Sequence, residues 1–377
     1  MGISTLPVIK STTKVWTSYS NPNFGSLSGA RSTQVIGYAY TKVYYVGGYY
    51  IFGTSTGVIG YSTDAKTWNY QVIFPTNAAI RAIAFNGTTW VVAGVNNYCY
   101  SGTPGGSWTA RTSQLVGTST VFDVIWVVGS INLFILIGDA GAVNSLSTSP
   151  DGITWTARLT PTNSIRSIAV NTAQTVIVAG NQLSTANQQA YYSTNGTTWN
   201  FAPVYNSATD AGYIWYMPHV DKFATLAGQQ ARRSSASVST QWDTAPYEIQ
   251  GPPSYAVSSL PSGSDTQRML PIWDSVNSKY YGIDINSNGG QSNQILYTYT
   301  GADIFNRFST GSYNRYAFSL EKVENVPGWS ATAPSTGPSV TTQNALGYGN
   351  GIWVLVNGTG TNPADTSLTI AVWSTAV

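Results

Sequence analysis

The sequence predicts an all-β protein: a seven-bladed β-propeller of four-stranded antiparallel blades, its last blade closed by the N-terminal strand. Three observations predict it. A seven-residue cassette ending in Trp recurs as Ser149-Pro150-Asp151-Gly152-Ile153-Thr154-Trp155, as Ser193-Thr194-Asn195-Gly196-Thr197-Thr198-Trp199 and, more loosely, as Ser62-Thr63-Asp64-Ala65-Lys66-Thr67-Trp68. Strand-like runs come in fours with a period of about 42 residues, the length of one propeller blade. The chain begins with a spare Trp-bearing run and ends on a unit that lacks one.

Each cassette reads as a hairpin turn between two strands. Asp-Gly and Asn-Gly accept the positive φ of a tight primed turn. The flanking Ser and Thr hydroxyls can bond the turn backbone. Placed on the outgoing strand, the Trp covers the inner face of the hairpin. Burying one Trp is worth at most about 4–6 kcal/mol.

Taken in order, Lys14 to Ser20 supplies an outgoing strand with Trp16 and no incoming partner. A first blade spans 34–71, with runs Val35–Tyr40, Tyr49–Gly53, Val58–Ser62 and Thr67–Gln71. The second spans 80–111, the third 121–158 and the fourth 165–202. Ile80-Arg81-Ala82-Ile83-Ala84-Phe85-Asn86 aligns with Ile165-Arg166-Ser167-Ile168-Ala169-Val170-Asn171 two periods later, which fixes the register. A fifth blade, 212–243, closes on Thr240–Asp243. The sixth, 269–331, holds an insertion at about 300–324 and closes on Asn325–Ser330. The seventh, 343–377, takes 14–20 as its missing strand. Trp16, Trp68, Trp108, Trp155, Trp199, Trp242 and Trp329 then mark seven outgoing strands, and the ring hides the sheet edges that an open array would expose. A solenoid would carry terminal caps, not complementary half-units. All 377 residues form one domain on this scheme.

Composition agrees. Tyr (25), Trp (13) and Gly (37) are abundant, as suits strands and turns. Charged residues are only 8% and net charge is +2, so nucleic acid and anionic membranes lack an electrostatic handle. The apolar stretch Val121 to Ile137 is interrupted by Asp123 and Gly129-Ser130, and reads as two buried strands, not a membrane span. Cys99 stands alone in a strand-like run and is expected to pack. With His219 the only histidine, no zinc site is expected. Neither a cofactor nor a metal is implied. No signal-peptide or myristoylation pattern opens the sequence, so synthesis in the cytoplasm is expected. Asn86, Asn195 and Asn357 begin glycosylation sequons that read better as turns.

The pattern Ser-x-Asp/Asn-Gly-x-Thr-Trp resembles the Asp-box, or BNR repeat, of sialidase-like β-propellers. Ser149–Trp155 and Ser193–Trp199 carry it best, Ser62–Trp68 less well, and Ser101–Trp108 in altered form. The usual box has one more residue between Asp and Gly. This resemblance implies that Asp64, Asp151, Asn195 and the tryptophans are structural, on the face opposite an active site. Low-charge, Tyr/Trp/Asn-rich repeats of this kind also resemble those of phage and large-virus virion proteins.

Sialidases need an arginine triad, a Tyr–Glu nucleophile pair and an acid/base Asp. Arg81 and Arg166 open two inner strands, where guanidinium forks could hold an anion or could bond loop carbonyls. Arg31 and Arg268 stand just ahead of the same strand in two other units. Glu occurs only at Glu248, Glu321 and Glu324, and no pairing of Asp123 with Asp274 is evident, so catalysis is not expected. Polar loops such as Asn96-Asn97, Asn181-Gln182 to Gln188-Gln189, Gln229-Gln230 and Asn286 to Asn293 could bind sugars or could be plain turns. The expected role is a non-enzymatic virion structural or surface protein: a tail, fibre or capsid decoration that contacts other virion proteins and mediates host attachment. The alternatives are a carbohydrate-binding lectin that takes a host-surface glycan and, third, a sialidase-like glycoside hydrolase. Candidate ligand-binding residues are Arg81, Arg166, Asn96, Asn97, Gln229 and Gln230.

Overall fold

The computed structural model describes residues 17–20, 41–115, 120–139, 144–159, 164–181, 190–202, 213–227, 230–234, 238–239, 242, 247–249, 272–275, 278–283, 295–300, 305–307, 319–322, 343–358 and 368–374. Strand β1 is Thr17–Ser20. Sheet one holds β2 (Tyr44–Val46), β3 (Tyr49–Gly53), β4 (Val58–Ser62) and β5 (Asn69–Val72). Sheet two holds β6 (Ile80–Phe85), β7 (Trp90–Gly94), β8 (Cys99–Gly102) and β9 (Trp108–Ala110). Sheet three holds β10 (Val121–Val127), β11 (Leu133–Gly138), β12 (Leu146–Ser149) and β13 (Thr156–Leu159). Sheet four holds β14 (Ile165–Val170), β15 (Ile177–Asn181), β16 (Ala190–Ser193) and β17 (Asn200–Ala202). In sheet five, β18 (Tyr213–Met217), β19 (Lys222–Ala227), β20 (Gln230–Arg233) and β21 (Tyr247–Ile249) precede β22 (Ile272–Asp274), β23 (Lys279–Ile283) and β24 (Ile295–Thr300) of sheet six. The next strand, β25 (Phe305–Arg307), returns to sheet five, and β26 (Ser319–Lys322) completes sheet six. The last sheet is β27 (Gln343–Gly349), β28 (Ile352–Gly358) and β29 (Leu368–Ser374), with β1 as its fourth strand.

Every pairing among the described strands is antiparallel, and β1 lies on β29 in the register Thr17↔Val372 and Ser18↔Ala371. The chain is thus an all-β propeller whose first strand completes its last sheet. First strands pack side by side: β27 on β2, β2 on β6, β6 on β10, β10 on β14 and β14 on β18. Two bonds tie the last sheet to the first: Val43 N–H donates to the Leu346 carbonyl (3.1 Å), and the Tyr50 hydroxyl to that of Gly349 (2.7 Å).

The core lies between blades. On β7, Trp90 and Val92 pack toward Ile51 and Ile59 of sheet one, whereas Val91 and Ala93 pack toward Phe134 and Leu136 of sheet three. On β11, Ile135 and Ile137 face Ile165 and Ile177 of sheet four. Alternate residues therefore serve opposite neighbours, and second strands read as unbroken apolar runs because both faces are buried.

In the cassettes, one carboxylate or amide organises the turn. Asp64 Oδ1 accepts the N–H of Lys66 (2.8 Å) and Thr67 (2.7 Å) and the hydroxyl of Ser62 (2.9 Å). Asp151 repeats this with Ile153 (2.8 Å), Thr154 (3.0 Å) and Ser149 (2.9 Å), and Asn195 with Thr197 (2.9 Å) and Thr198 (2.8 Å). Positive φ falls on one residue per turn, Gly152 (74°), Gly196 (74°) or Ala65 (62°), so these are side-chain-capped loops and not the two-residue primed turns expected. That primed form occurs instead at Gly47-Gly48 (58°, 79°) and Asn350-Gly351 (47°, 73°).

Other expectations shift. The tryptophans stand mostly just before the outgoing strand: Trp68 precedes β5, Trp155 precedes β13 and Trp199 precedes β17, while Trp108 opens β9. There the indole lies under the turn, as where Trp68 Nε1 donates to the Ala65 carbonyl (3.0 Å) and Trp199 Nε1 to that of Gly196 (3.2 Å). Sheet one begins at Tyr44, because the Gly47-Gly48 turn folds β2 directly onto β3; Val35–Tyr40 lies outside the described residues. Sheet five takes Tyr247–Ile249 as its fourth strand and, unlike the four-stranded blade expected, adds β25 as a fifth; of Thr240–Asp243 only Trp242 is among the described residues, and it is buried. Sheet six takes Ser319–Lys322, inside the expected insertion, as its fourth strand, paired with β24 in the register Leu296↔Glu321 and Tyr297↔Leu320. Trp16, Trp329 and Asn325–Ser330 lie outside the described residues.

Candidate functional site

Strand direction gives the disc two faces. Each first strand runs from the face where its blade is entered to the face where it turns into the second strand. Cassettes, which join third to fourth strands, share the turning face. The start of every first strand and the links from second to third strands share the entry face. Arg81, Arg166 and the Asn96-Asn97 link therefore lie on the entry face, as does the start of β20 at Gln230.

Three successive first strands carry the same irregularity at that end. Ile80 pairs with Gly94 but Ala82 with Ala93, so Arg81 is the extra residue of a β-bulge. Val121 pairs with Gly138 and Asp123 with Ile137, which makes Phe122 the extra residue. Ile165 pairs with Asn181 and Ser167 with Gly180, which singles out Arg166. A bulge re-aims its side chain. Here the result is one cluster: the Arg81 guanidinium carbon lies 5.6 Å from the Phe122 ring centroid, and that of Arg166 lies 4.4 Å from it. Both are within the range of cation–π attraction. Phe122 is buried and both arginines are half-buried.

Asp123, the residue after Phe122, acts electrostatically on Lys42 and Tyr44. Lys42 holds its ammonium 5.0 Å from the Tyr44 ring centroid. Lys42 is exposed by surface area. Burial holds its pKa below the usual lysine value, against the pull of the Asp123 charge. Asp123, itself buried, accepts the N–H of Val124 (2.8 Å). Burial, and then the Asp123 charge, push the Tyr44 phenol far above its ordinary value, opposed by a hydrogen bond with the Ile83 backbone.

Asn97 bonds within the fold. Its amide donates to the Leu115 carbonyl (3.0 Å) and it accepts the Ser113 hydroxyl, tying the link to the chain after β9. Asn96 is exposed, with φ at 61°. Gln229 lies outside the described residues, and Gln230 is known by its backbone pairing with Glu248. Asp274 is buried in β22, and His219 rests against the Trp273 ring at 5.4 Å. The Cys99 thiol is buried, which pushes its pKa up to about 12. Among the described residues, no His/Cys/Asp/Glu group could hold a metal, and no helix is long and apolar enough to cross a membrane.

Sequence reasoning passed over Phe122, Lys42 and Tyr44. Phe122 was detectable: Ile80-Arg81, Val121-Phe122 and Ile165-Arg166 place these residues at the same offset from the strand start. Lys42 was hidden because β2 begins later than the expected first strand.

No family model matches the chain, and no curated protein matches it. Solved structures do match. One of them, YCF48 bound to D1 peptide, aligns with a TM-score of 0.56 over 99% of this chain and 100% of that chain, at 12% identity. At that identity the likeness is one of fold: a β-propeller.

Proposed function

We propose that this chain is a non-enzymatic surface protein of a virion, a tail, fibre or capsid decoration of the Asp-box propeller type, and that it mediates attachment through its entry face. The division of labour between the two faces carries this reading. On the cassette face, Ser, Asp and Asn spend their hydrogen bonds on their own turns. On the opposite face, where the first strands begin, Arg81 and Arg166 flank Phe122, and Lys42 lies by Tyr44. That a propeller of similar fold, YCF48, has been solved bound to D1 peptide supports a binding role. Glycoside cleavage needs two carboxyls at one bond, and the one carboxylate whose charge is seen to act on Lys42 and Tyr44 is Asp123. Fixed stoichiometry in purified particles, with the protein located there by electron microscopy, is the expected result. Absence from particles, or turnover of a fluorogenic sialoside that is lost in Arg81→Ala, contradicts it.

A lectin is the second reading, favoured by aromatic rings beside charged donors, the combination that sugars stack on and bond to. Retention of the wild-type chain on a glycan column and release on Phe122→Ala supports it. Equal retention of both removes this cluster from glycan binding.

A further inference from the structure

We infer that Asn86-Gly87, in the turn between β6 and β7, is a site of spontaneous covalent modification, where the chain cyclises on itself and releases ammonia, and that Ser193 holds Asn195-Gly196 back from the same reaction. The sequence supplies its own control: Asn86-Gly87-Thr88-Thr89-Trp90 and Asn195-Gly196-Thr197-Thr198-Trp199 are the same pentapeptide. What differs between them therefore comes from the fold. The step is a displacement at the side-chain amide. The glycine backbone nitrogen gives its proton to water or hydroxide and attacks Asn Cγ. An N–Cγ bond forms, the Cγ–Nδ2 bond breaks, and Nδ2 takes up a proton from water and leaves as ammonia. Water then opens the cyclic imide at one carbonyl or the other, leaving aspartate or isoaspartate. No electron changes hands, and water is the only co-reactant.

The electrophile is alike at the two sites. Asn86 Oδ1 accepts the N–H of Thr88 (2.9 Å) and Thr89 (2.7 Å) and the Thr88 hydroxyl (3.0 Å). Asn195 Oδ1 accepts the N–H of Thr197 (2.9 Å) and Thr198 (2.8 Å) and the Ser193 hydroxyl (3.2 Å). Donors on that oxygen stabilise the negative charge it takes on when Cγ is attacked. The nucleophile differs. Gly196 N–H donates to Ser193 Oγ (2.8 Å), and Gly196 is buried, with Leu133 and Ile131 of blade three 2.9 and 3.3 Å from where a Cβ would stand. Gly87 N–H has no protein partner among the described residues, Gly87 is exposed, and nothing lies within 4 Å of the same point. A glycine with no Cβ and no packed neighbour turns freely into the geometry of attack, and one that is bonded and packed does not. Either product adds a negative charge to the turning face. Aspartate keeps the turn, as Asp64 and Asp151 do for theirs. Isoaspartate lengthens the main chain between Phe85 and Trp90, whose rings stack at 4.5 Å and pack toward sheet one.

The test is peptide mapping by mass spectrometry of the full chain, aged in mildly alkaline buffer below its melting temperature and, in parallel, unfolded in urea. Folded wild type should convert Asn86 to the acid about tenfold faster than Asn195 or more, the rate equivalent of one hydrogen bond. In urea the two should convert at similar rates, because their local sequences agree. Ser193→Ala removes the partner of Gly196 N–H but leaves the donors from Thr197 and Thr198, so the folded variant should convert Asn195 severalfold faster than wild type does. If that variant fails to fold, the ratio in folded against unfolded wild type decides alone. Equal rates in the folded wild type, or a faster Asn195, overturn the assignment. So does a folded Asn86 that keeps its amide while the unfolded chain loses it. An unchanged Asn195 rate in folded Ser193→Ala overturns the protective role of Ser193.

Discussion

Asp64 and Asp151 each hold a turn together with one carboxylate. Burial works to raise their pKa values, but the N–H groups of Thr67 and Lys66, or of Thr154 and Ile153, together with the Ser hydroxyls, outweigh it and leave both lowered. A carboxyl whose folded pKa is depressed contributes stability above its unfolded value, and loses it as pH falls through the folded one. The acid limb of unfolding, below about pH 4, should therefore steepen with these two groups. Asp64→Asn with Asp151→Asn should flatten it at little cost at neutral pH, because Asn195 already does the same work in a sister cassette. Melting temperature measured from about pH 2 to 7 checks this; an unchanged acid limb in the double variant contradicts it. Gly152 is a second residue-scale test. Its φ is +74°, and an added Cβ would stand 2.7 Å from Val91 Cγ2 of the preceding blade. Gly152→Ala should cost about 1–3 kcal/mol in urea unfolding. These residues were legible in the sequence as a repeated motif. The form of the turn was not, since Asp-Gly fits both a primed hairpin and a side-chain-capped loop.

Each cassette Trp plugs the seam with the blade before its own. Trp68 packs with Val354 and Val356 of the last sheet, Trp155 with Val91 and Ala93 of sheet two, and Trp242 with Val178 of sheet four. Trp155→Ala should therefore cost about 3–5 kcal/mol, the usual loss for a buried aromatic. Sheet two departs from the pattern, because Ser101–Trp108 has no Asp. Gln71 of the preceding blade replaces it: its carbonyl accepts Gly105 N–H (3.0 Å) and Trp108 Nε1–H (3.1 Å), and its amide donates to the Gly106 carbonyl (2.6 Å). Gln71→Leu removes all three and should cost about 2–4 kcal/mol in denaturant unfolding. A loss below about 0.5 kcal/mol would mean that water satisfies those groups equally well. The blade period was visible in the sequence because second strands are buried on both faces and stay apolar. Gln71 was not, because nothing in its own strand marks a partner 34 to 37 residues away.

At the scale of the whole molecule, stability is shared between neighbours. Each core cluster described joins two successive sheets, so no blade has an interior of its own. Closure then matters most, since an open ring would leave a Trp seam and a strand edge bare. The complementary half-units at the two ends of the sequence announced this pairing. The fifth and sixth sheets were harder to trace, because β25 and β26 lie in a stretch without cassette or Trp punctuation, and β25 pairs back onto the earlier sheet. The central claim is that β1 completes the last sheet, and the register Ser18↔Ala371 makes it directly measurable. In the variant Ser18→Cys with Ala371→Cys, opposed positions on antiparallel strands come within disulfide reach. Cys99 stays out of the reaction because it is buried with a pKa pushed up to about 12. Mild oxidation followed by peptide mapping should find an intrachain bond between positions 18 and 371 in near-quantitative yield. Two free thiols, or bonds only between chains, would contradict the closed ring.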